Sequence, residues 1–189
     1  MRALVTALAI LAFTTAAARA QDPSAPDFAR DAPSGTAPGV VRAPMRDLHG
    51  NDLGEVRARD TNAGLLIVLD LVGAPIGTHG FHVHAVGRCE PPFESAGPHL
   101  ALNGKAHGFL APGGPHAGDL VNVEVPDEGR LTQSLLAPGL RLADLRDADG
   151  SAFVLHAQAD DYTSQPAGSS GDRIACARID PVVAGPPPR

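Results

Sequence analysis

Short apolar or alternating stretches, broken by Gly, Pro, Asn and Asp, fill the middle of the chain. Leu65-Leu66-Ile67-Val68-Leu69 is an apolar run of strand length, bounded by Asn62 and Gly64 before it and by Gly73 and Pro75 after it. Such a run between turn signals predicts a strand. Further strands are expected at Val40 to Arg46, Gly54 to Asp60, His79 to Val86, Asp119 to Val125, Leu131 to Leu135, Phe153 to His156 and Ile174 to Ile179. Turn clusters such as His49-Gly50-Asn51-Asp52, Asp127-Glu128-Gly129 and Asp147-Ala148-Asp149-Gly150 separate most of them. Leu140 to Leu145 has room for one helical turn. The pattern predicts an all-β fold, an eight-stranded antiparallel sandwich or barrel. Residues 87–118 and 160–171 show no sustained alternation and are rich in Gly, Pro and Ser. Irregular loops longer than about 15 residues are uncommon in compact domains and usually carry function.

The ends follow a different pattern. Arg2, the apolar run Leu4 to Phe13 and the A-x-A site Ala18-Arg19-Ala20 read as a secretory signal peptide over residues 1–20, too short in its apolar part to span a bilayer. Residues 21–38 are Pro, Ala, Ser, Gly and Asp with almost no apolar anchor, which predicts a flexible linker. Residues 183–189, ending Pro186-Pro187-Pro188-Arg189, read as a disordered tail. One domain at 39–182 remains, with export to a bacterial periplasm as the expected location. That compartment is oxidising, so Cys89 and Cys176, the only cysteines, are expected to form a disulfide.

Composition sharpens this picture. Only 4 % of residues are aromatic and there is no tryptophan, so the core must be built from Val, Leu, Ile and Ala, and covalent or metal staples gain importance. The formal net charge of −6 becomes −8 once Arg2 and Arg19 leave with the signal peptide. A general nucleic-acid binder is excluded on that balance, since neutralising phosphates needs a basic surplus.

Eight histidines are the compositional feature that calls for chemistry. His82 and His84 flank Val83 on a predicted strand, where positions i and i+2 share a face, so both imidazoles can converge while Phe81 and Val83 face the core. His99, His107, His116 and Asp119 then fall within 21 residues of a Gly/Pro-rich loop. Three imidazoles and a carboxylate are a suitable tetrahedral set for Zn²⁺, and a bound ion would contribute the free energy that orders such a loop. His156 closes the strand Phe153 to His156 and carries no signal of its own.

Five motifs in one order add to that reading: Gly80-Phe81-His82-Val83-His84, Ser95-Ala96-Gly97-Pro98-His99, His116-Ala117-Gly118-Asp119-Leu120, His156-Ala157-Gln158-Ala159-Asp160-Asp161-Tyr162 and Gly171-Asp172-Arg173-Ile174-Ala175-Cys176. From about Val40 to Asp180 the chain resembles the secreted bacterial copper/zinc superoxide dismutases. The resemblance implies a Greek-key barrel or sandwich with two long functional loops. It implies His82, His84, His99 and His156 as copper ligands, and His99, His107, His116 and Asp119 as zinc ligands, with His99 bridging. Asp160 matches a carboxylate accepting N–H bonds from one copper ligand and one zinc ligand, here His82 and His107. Arg173 matches an arginine beside the copper, suited to attracting a small anion. His79 matches a structural histidine on the copper side, and Cys89 and Cys176 occupy the positions of an intrachain disulfide. The implied activity is disproportionation of superoxide to oxygen and hydrogen peroxide. Copper alternates between Cu(II) and Cu(I), while the bridge to His99 opens on reduction and the freed nitrogen carries a proton.

Against an acidic chain, any attraction of an anion must be local, from Arg173, the copper and Lys105 in the zinc loop. Asp172 beside Arg173 could weaken that field. Leu100-Ala101-Leu102-Asn103 after His99 and Ala177-Arg178 after Cys176 depart from the family pattern, which puts the zinc-loop path, edge geometry and subunit contacts in question. Monomer and homodimer both stay open. Two other readings compete: a periplasmic copper/zinc carrier on the same fold without turnover, and a structural sandwich domain holding zinc alone. His156 and Arg173 argue against both. His49, in a predicted turn, is left without a role.

Overall fold

The computed structural model describes residues 39–102 and 104–182. The expected signal peptide, linker and C-terminal tail, together with Asn103, lie outside the described residues. The elements in chain order are β1 (Val40–Asp47), β2 (Asp52–Thr61), β3 (Gly64–Val72), β4 (Gly77–His79), β5 (Phe81–His84), β6 (Val123–Val125), β7 (Arg130–Ala137), the single turn α1 (Leu142–Leu145), β8 (Ser151–His156) and β9 (Arg173–Ile179), with one 3-10 turn at Glu94–Ala96.

Seven strands form one antiparallel sheet in the order β5-β8-β9-β1-β2-β3-β7, and β4 pairs with β6 in a two-stranded ribbon. The ribbon joins the two edges of the large sheet through the chain, since β4 runs into β5 and β6 leads into β7. The sheet thereby curls around a single apolar interior. Strand alternation is plain in β1, where Val41, Ala43 and Met45 point inward and Arg42, Pro44 and Arg46 outward. β3 contains the expected Leu65–Leu69 strand and is buried over most of its length. Phe81 and Phe153 stack across the β5–β8 pair with ring centroids 5.7 Å apart, and Leu140, Leu142 and Leu145 of the α1 segment add to the same core.

Two predicted strands come out differently. His79 to Val86 is divided at Gly80, where the chain changes partners: His79 pairs with Val123, whereas the Gly80 carbonyl accepts from His156 N–H at 2.9 Å and Phe81 opens the pairing with β8. A Cβ on Gly80 would lie 3.0 Å from the Ser170 side chain and 3.1 Å from the His82 ring, so the corner also brings the chain against the site. Asp119 to Val125 is strand only at Val123–Val125, because Asp119 is held in a single bridge to His82. Apolar pattern located both segments but could not show where side-chain chemistry replaces ladder pairing.

Cys89 and Cys176 form the expected disulfide, with 5.7 Å between their Cα atoms. It ties residues 87–118 to β9 and seats Phe93 and Ala96 on a small second cluster with Ala152, Val154 and Cys176. Ala177 is fully buried in the barrel, and Arg178 points outward to pair with Asp180, so this departure from the family pattern costs no buried charge.

Candidate metal centre

β5 delivers His82 and His84 to one face and Phe81 and Val83 to the core, as the two-residue period requires. β5 is an edge strand, and the loop at Leu100 and Gly118 covers that edge. Val83 N–H donates to Gly118 O and Leu100 N–H to Val83 O, both at 2.8 Å. Isolated bridges pair His84 with His99 and His82 with Asp119. Leu100, at a departure from the family pattern, keeps the loop on this path with its side chain buried. Across β5, β8 ends on His156, whose register partner on β9 is Arg173.

Six histidines and two aspartates therefore meet in one buried cluster. In a first group, His82, His84, His99 and His156 each offer a ring nitrogen, and these atoms all lie within 4.8 Å of one another. In a second, the same is true of His99, His107, His116 and Asp119. His99 belongs to both, with its Nδ1 beside Asp119.

The other ring nitrogens are spoken for. His84 Nδ1–H donates to Gly97 O at 2.8 Å and His156 Nδ1–H to Gly171 O at 3.2 Å. These bonds direct the Nε2 atoms toward each other, 3.4 Å apart. His82 Nε2–H donates to Asp160 Oδ2 at 2.8 Å, which leaves its Nδ1 buried with no hydrogen-bond partner. His99 Nε2 is likewise buried and unpartnered. Unsatisfied buried polar atoms are rare and costly, so two of them facing two further lone pairs mark a place built for a cation. On the other side, Asp119 Oδ1 lies 2.8 Å from His99 Nδ1, 3.0 Å from His107 Nδ1 and 3.3 Å from His116 Nδ1. Gly108 N–H and His116 N–H donate to Asp119 Oδ2 and hold the carboxylate in place. The donor sets fit the expected ions: four nitrogens suit copper in both oxidation states, and three nitrogens with one oxygen suit zinc.

Asp160 is buried between the two groups, accepting from His82 through Oδ2 and from His107 Nε2 through Oδ1 at 3.1 Å. Asn122 grips the Asp160 backbone at two points, donating to its carbonyl at 2.9 Å and accepting from its N–H at 2.8 Å. Gly168, at φ +66, closes against the carboxylate; an added Cβ would lie 1.7 Å from Asp160 Oδ1. Gly168→Ala is expected to displace Asp160 and lower zinc affinity about 10–100-fold, the range for partners that orient metal ligands, read by chelator competition. Asn122, Gly168 and Gln165 are absent from the sequence-derived site because amides and glycines acting through backbone contacts leave no pattern.

Burial pushes His84 down to about 2, helped by the neighbouring His99 and Arg173 charges. It pushes His99 and His156 down to about 4, and His82 in the same direction. Those four imidazoles are therefore neutral at pH 7, the form in which a metal binds them. His107 goes the other way: burial opposes its charge, but hydrogen bonds with Asp119 and Asp160 carry it up to about 9. Burial raises both carboxylates, yet the His107 bond with each, together with His99 for Asp119 and His82 for Asp160, holds them well below the usual range.

Arg173 stands beside the first group. Its guanidinium donates to Phe93 O at 2.7 Å and pairs with Glu94 at 3.5 Å, so the charge closest to it is Glu94 rather than Asp172, which is exposed. The disulfide loop therefore positions the arginine. His79 is buried with Nδ1 2.8 Å from His156 O and Nε2 2.9 Å from Pro75 O, a strut under the strand end that carries His156. His49 is exposed in its turn, and Lys105 lines an apolar groove with Phe109 and Leu136 that reaches His116 and Asp119 of the second group.

A family profile described as copper/zinc superoxide dismutase (SODC) matches residues 53–179. The chain is 40 % identical over 146 residues to "Superoxide dismutase [Cu-Zn] 2" of Aquifex aeolicus (strain VF5), covering 74 % of this chain and 85 % of that protein. Among solved structures it is similar to a SOD-like protein from Bacillus subtilis, at 38 % identity and TM-score 0.67 over 73 % of this chain and 97 % of that one. It is also similar to the Cu/Zn superoxide dismutase from Brucella abortus, at 28 % identity and TM-score 0.63 over 74 % and 99 %.

Proposed function

Because the chain belongs to the copper/zinc superoxide dismutase family, we propose that it removes superoxide at a copper ion held by His82, His84, His99 and His156, joined through His99 to a zinc ion held by His99, His107, His116 and Asp119. The observation that carries this reading is the convergence of four neutral, buried ring nitrogens, two of them unpartnered, beside an arginine. When bound there, copper would supply one-electron chemistry as Cu(II) and Cu(I) in turn, by which one superoxide is oxidised to oxygen and the next, taking up two protons from water, is reduced to hydrogen peroxide.

The chain's own residues do the rest. Hydrogen bonds from Nδ1 of His84 and His156 to backbone carbonyls fix the tautomer that presents Nε2 inward. Asp160 binds Nε2 of His82 and of His107, which leaves Nδ1 of each facing its group, and couples the two groups. Arg173 provides a permanent positive charge at the site in a chain whose net charge repels an anion. His99 belongs to both groups, with Nδ1 beside Asp119 and Nε2 buried without a partner, which supports a role in which its imidazole would bridge two cations after losing both ring protons. The oxidised Cys89–Cys176 pair and the bacterial relatives support a secreted, periplasmic location. Among the described residues no helix is long and apolar enough to cross a membrane. A carrier without turnover would have the same ligands but no use for an arginine clamped beside them.

Proton counts test the ligand assignment without reference to activity. At pH 7 metal-free His107 holds a proton that zinc must displace, so zinc loading should release about one proton per chain. The copper-side imidazoles are already neutral, so a copper addition that follows should release only the one His99 gives up as bridge. Calorimetry in buffers of different ionisation enthalpy reads both. Copper loading without proton release would remove the bridge. His107 also stabilises the metal-free fold. Because its folded pKa is raised, that contribution is complete below about pH 6.5 and is lost as pH rises through about 9.

A further inference from the structure

The loop at 160–171 holds His107 in two ways. Asp160 fixes the ring through Nε2, whereas Gln165 fixes the backbone. The Gln165 side-chain amide donates from Nε2 to His107 O at 2.8 Å and accepts at Oε1 from His107 N–H at 3.0 Å. The same Nε2 donates to Thr163 O at 3.1 Å, which braces the amide against its own loop. One side chain thus satisfies both peptide groups of one residue in the way a neighbouring strand would. Only a carboxamide carries donor and acceptor together at that spacing.

The surrounding backbone explains why such a clasp matters at this position. His107 sits in a Gly/Pro-rich stretch with no strand or helix to fix its φ and ψ. Gly108, next to it, has φ +100 and is pressed against Tyr162 O, 2.1 Å from where a Cβ would stand. Leu110 N–H donates to the same carbonyl at 3.0 Å. The two loops are therefore stitched along residues 107–110, with Gln165 at the His107 end. The ring beyond it is fully buried, and its Nδ1 must stay about 3 Å from Asp119 Oδ1 to share a ligand sphere of roughly 2.0–2.2 Å radius. A small displacement of the His107 backbone would move that nitrogen out of reach.

We propose that Gln165 is a positioning residue for the zinc site, holding His107 in its metal-accepting pose by a two-point clasp on its main chain. The inference rests on the reading of His107 as a zinc ligand. Gln165 is itself exposed, so water can satisfy the freed peptide groups when the clasp is lost. The loss is therefore felt in ligand placement rather than in folding.

The test uses two near-isosteric variants of the full-length protein. Gln165→Met removes both clasp bonds. Gln165→Glu keeps the acceptor for His107 N–H and sets a carboxylate oxygen against the His107 and Thr163 carbonyls. Zinc transfer to excess chelator is followed in wild type, both variants and His107→Ala, together with the absorption of Co(II) bound in place of zinc and the melting temperature of the metal-free proteins. Both Gln165 variants should release zinc about 10-fold faster or more, at the low end of the range for partners that orient ligands, with a Co(II) spectrum altered in intensity. Their metal-free melting temperatures should stay within about 2 °C of wild type, well under the shift a buried network produces. Wild-type release rates, or an unchanged Co(II) spectrum with an equal loss of melting temperature in metal-free and zinc-loaded protein, would overturn the proposal. If His107→Ala retains zinc as tightly as wild type, the zinc-ligand reading itself fails, and that outcome is distinct from the other two.

Discussion

Replacing His156 by alanine is expected to abolish superoxide removal while one zinc per chain stays bound. His156 belongs to the first histidine group alone: its Nε2 faces His84, and its Nδ1–H is held by Gly171 O. Among the described residues none of its side-chain hydrogen bonds reaches the Asp119 group, and only the His99 ring packs near it, so the contacts of His99, His107 and His116 with Asp119 remain. Three nitrogens without the fourth leave copper weakly and wrongly placed beside Arg173. Losing a direct ligand should cost more than the ~100-fold at the upper end for outer partners, so activity should fall by well over 100-fold. Metal content by mass spectrometry and the rate of superoxide loss measure the two halves separately. Surviving activity would mean that the copper site is not built on His156.

The second large effect concerns the disulfide. Replacing Cys89 and Cys176 with serine opens a loop whose ends are 87 residues apart. Chain-entropy reasoning places the loss at roughly 4–5 kcal/mol. For a domain of this size that corresponds to a melting temperature lower by roughly 10–20 °C. The loss reaches the site as well. The 3-10 turn after Phe93, the Phe93 carbonyl that Arg173 donates to and Glu94 beside it all lie on the segment the bridge anchors. Activity per bound copper should therefore drop along with stability, and added salt should affect the variant less than the wild type, since Arg173 no longer acts from a fixed position. Calorimetric melting and rates at two ionic strengths check both. A melting temperature unchanged by the double substitution would show that the loop is held by packing alone.

Much of this arrangement was legible in the sequence, for identifiable reasons. The apolar runs and turn signals located the strand at Val40 to Arg46, and the two-residue period put His82 and His84 on one face with Phe81 and Val83 toward the core. Boundaries failed where a side chain or carbonyl took over the ladder. Gly80 hands the chain from one sheet to another, and Asp119 is tied to His82 and the zinc-side histidines instead of extending β6. The candidate ligands could be singled out because His-x-His and the loop histidines carry spacing, whereas His156 needed the resemblance. The supports stayed hidden. Asn122, Gln165 and Gly168 act through backbone contacts between loops far apart in the chain, and no local pattern encodes those. Asp172, adjacent in sequence to Arg173, was a poor guide to its partner, since β9 and the disulfide loop bring Glu94 there instead.

The most direct test is a metal titration of the purified protein coupled to the rate of superoxide loss. Binding of one copper and one zinc per chain, with rapid dismutation appearing as copper fills a zinc-loaded site, is the predicted result. Full occupancy of both sites without turnover would contradict the account and leave a metal carrier on this fold.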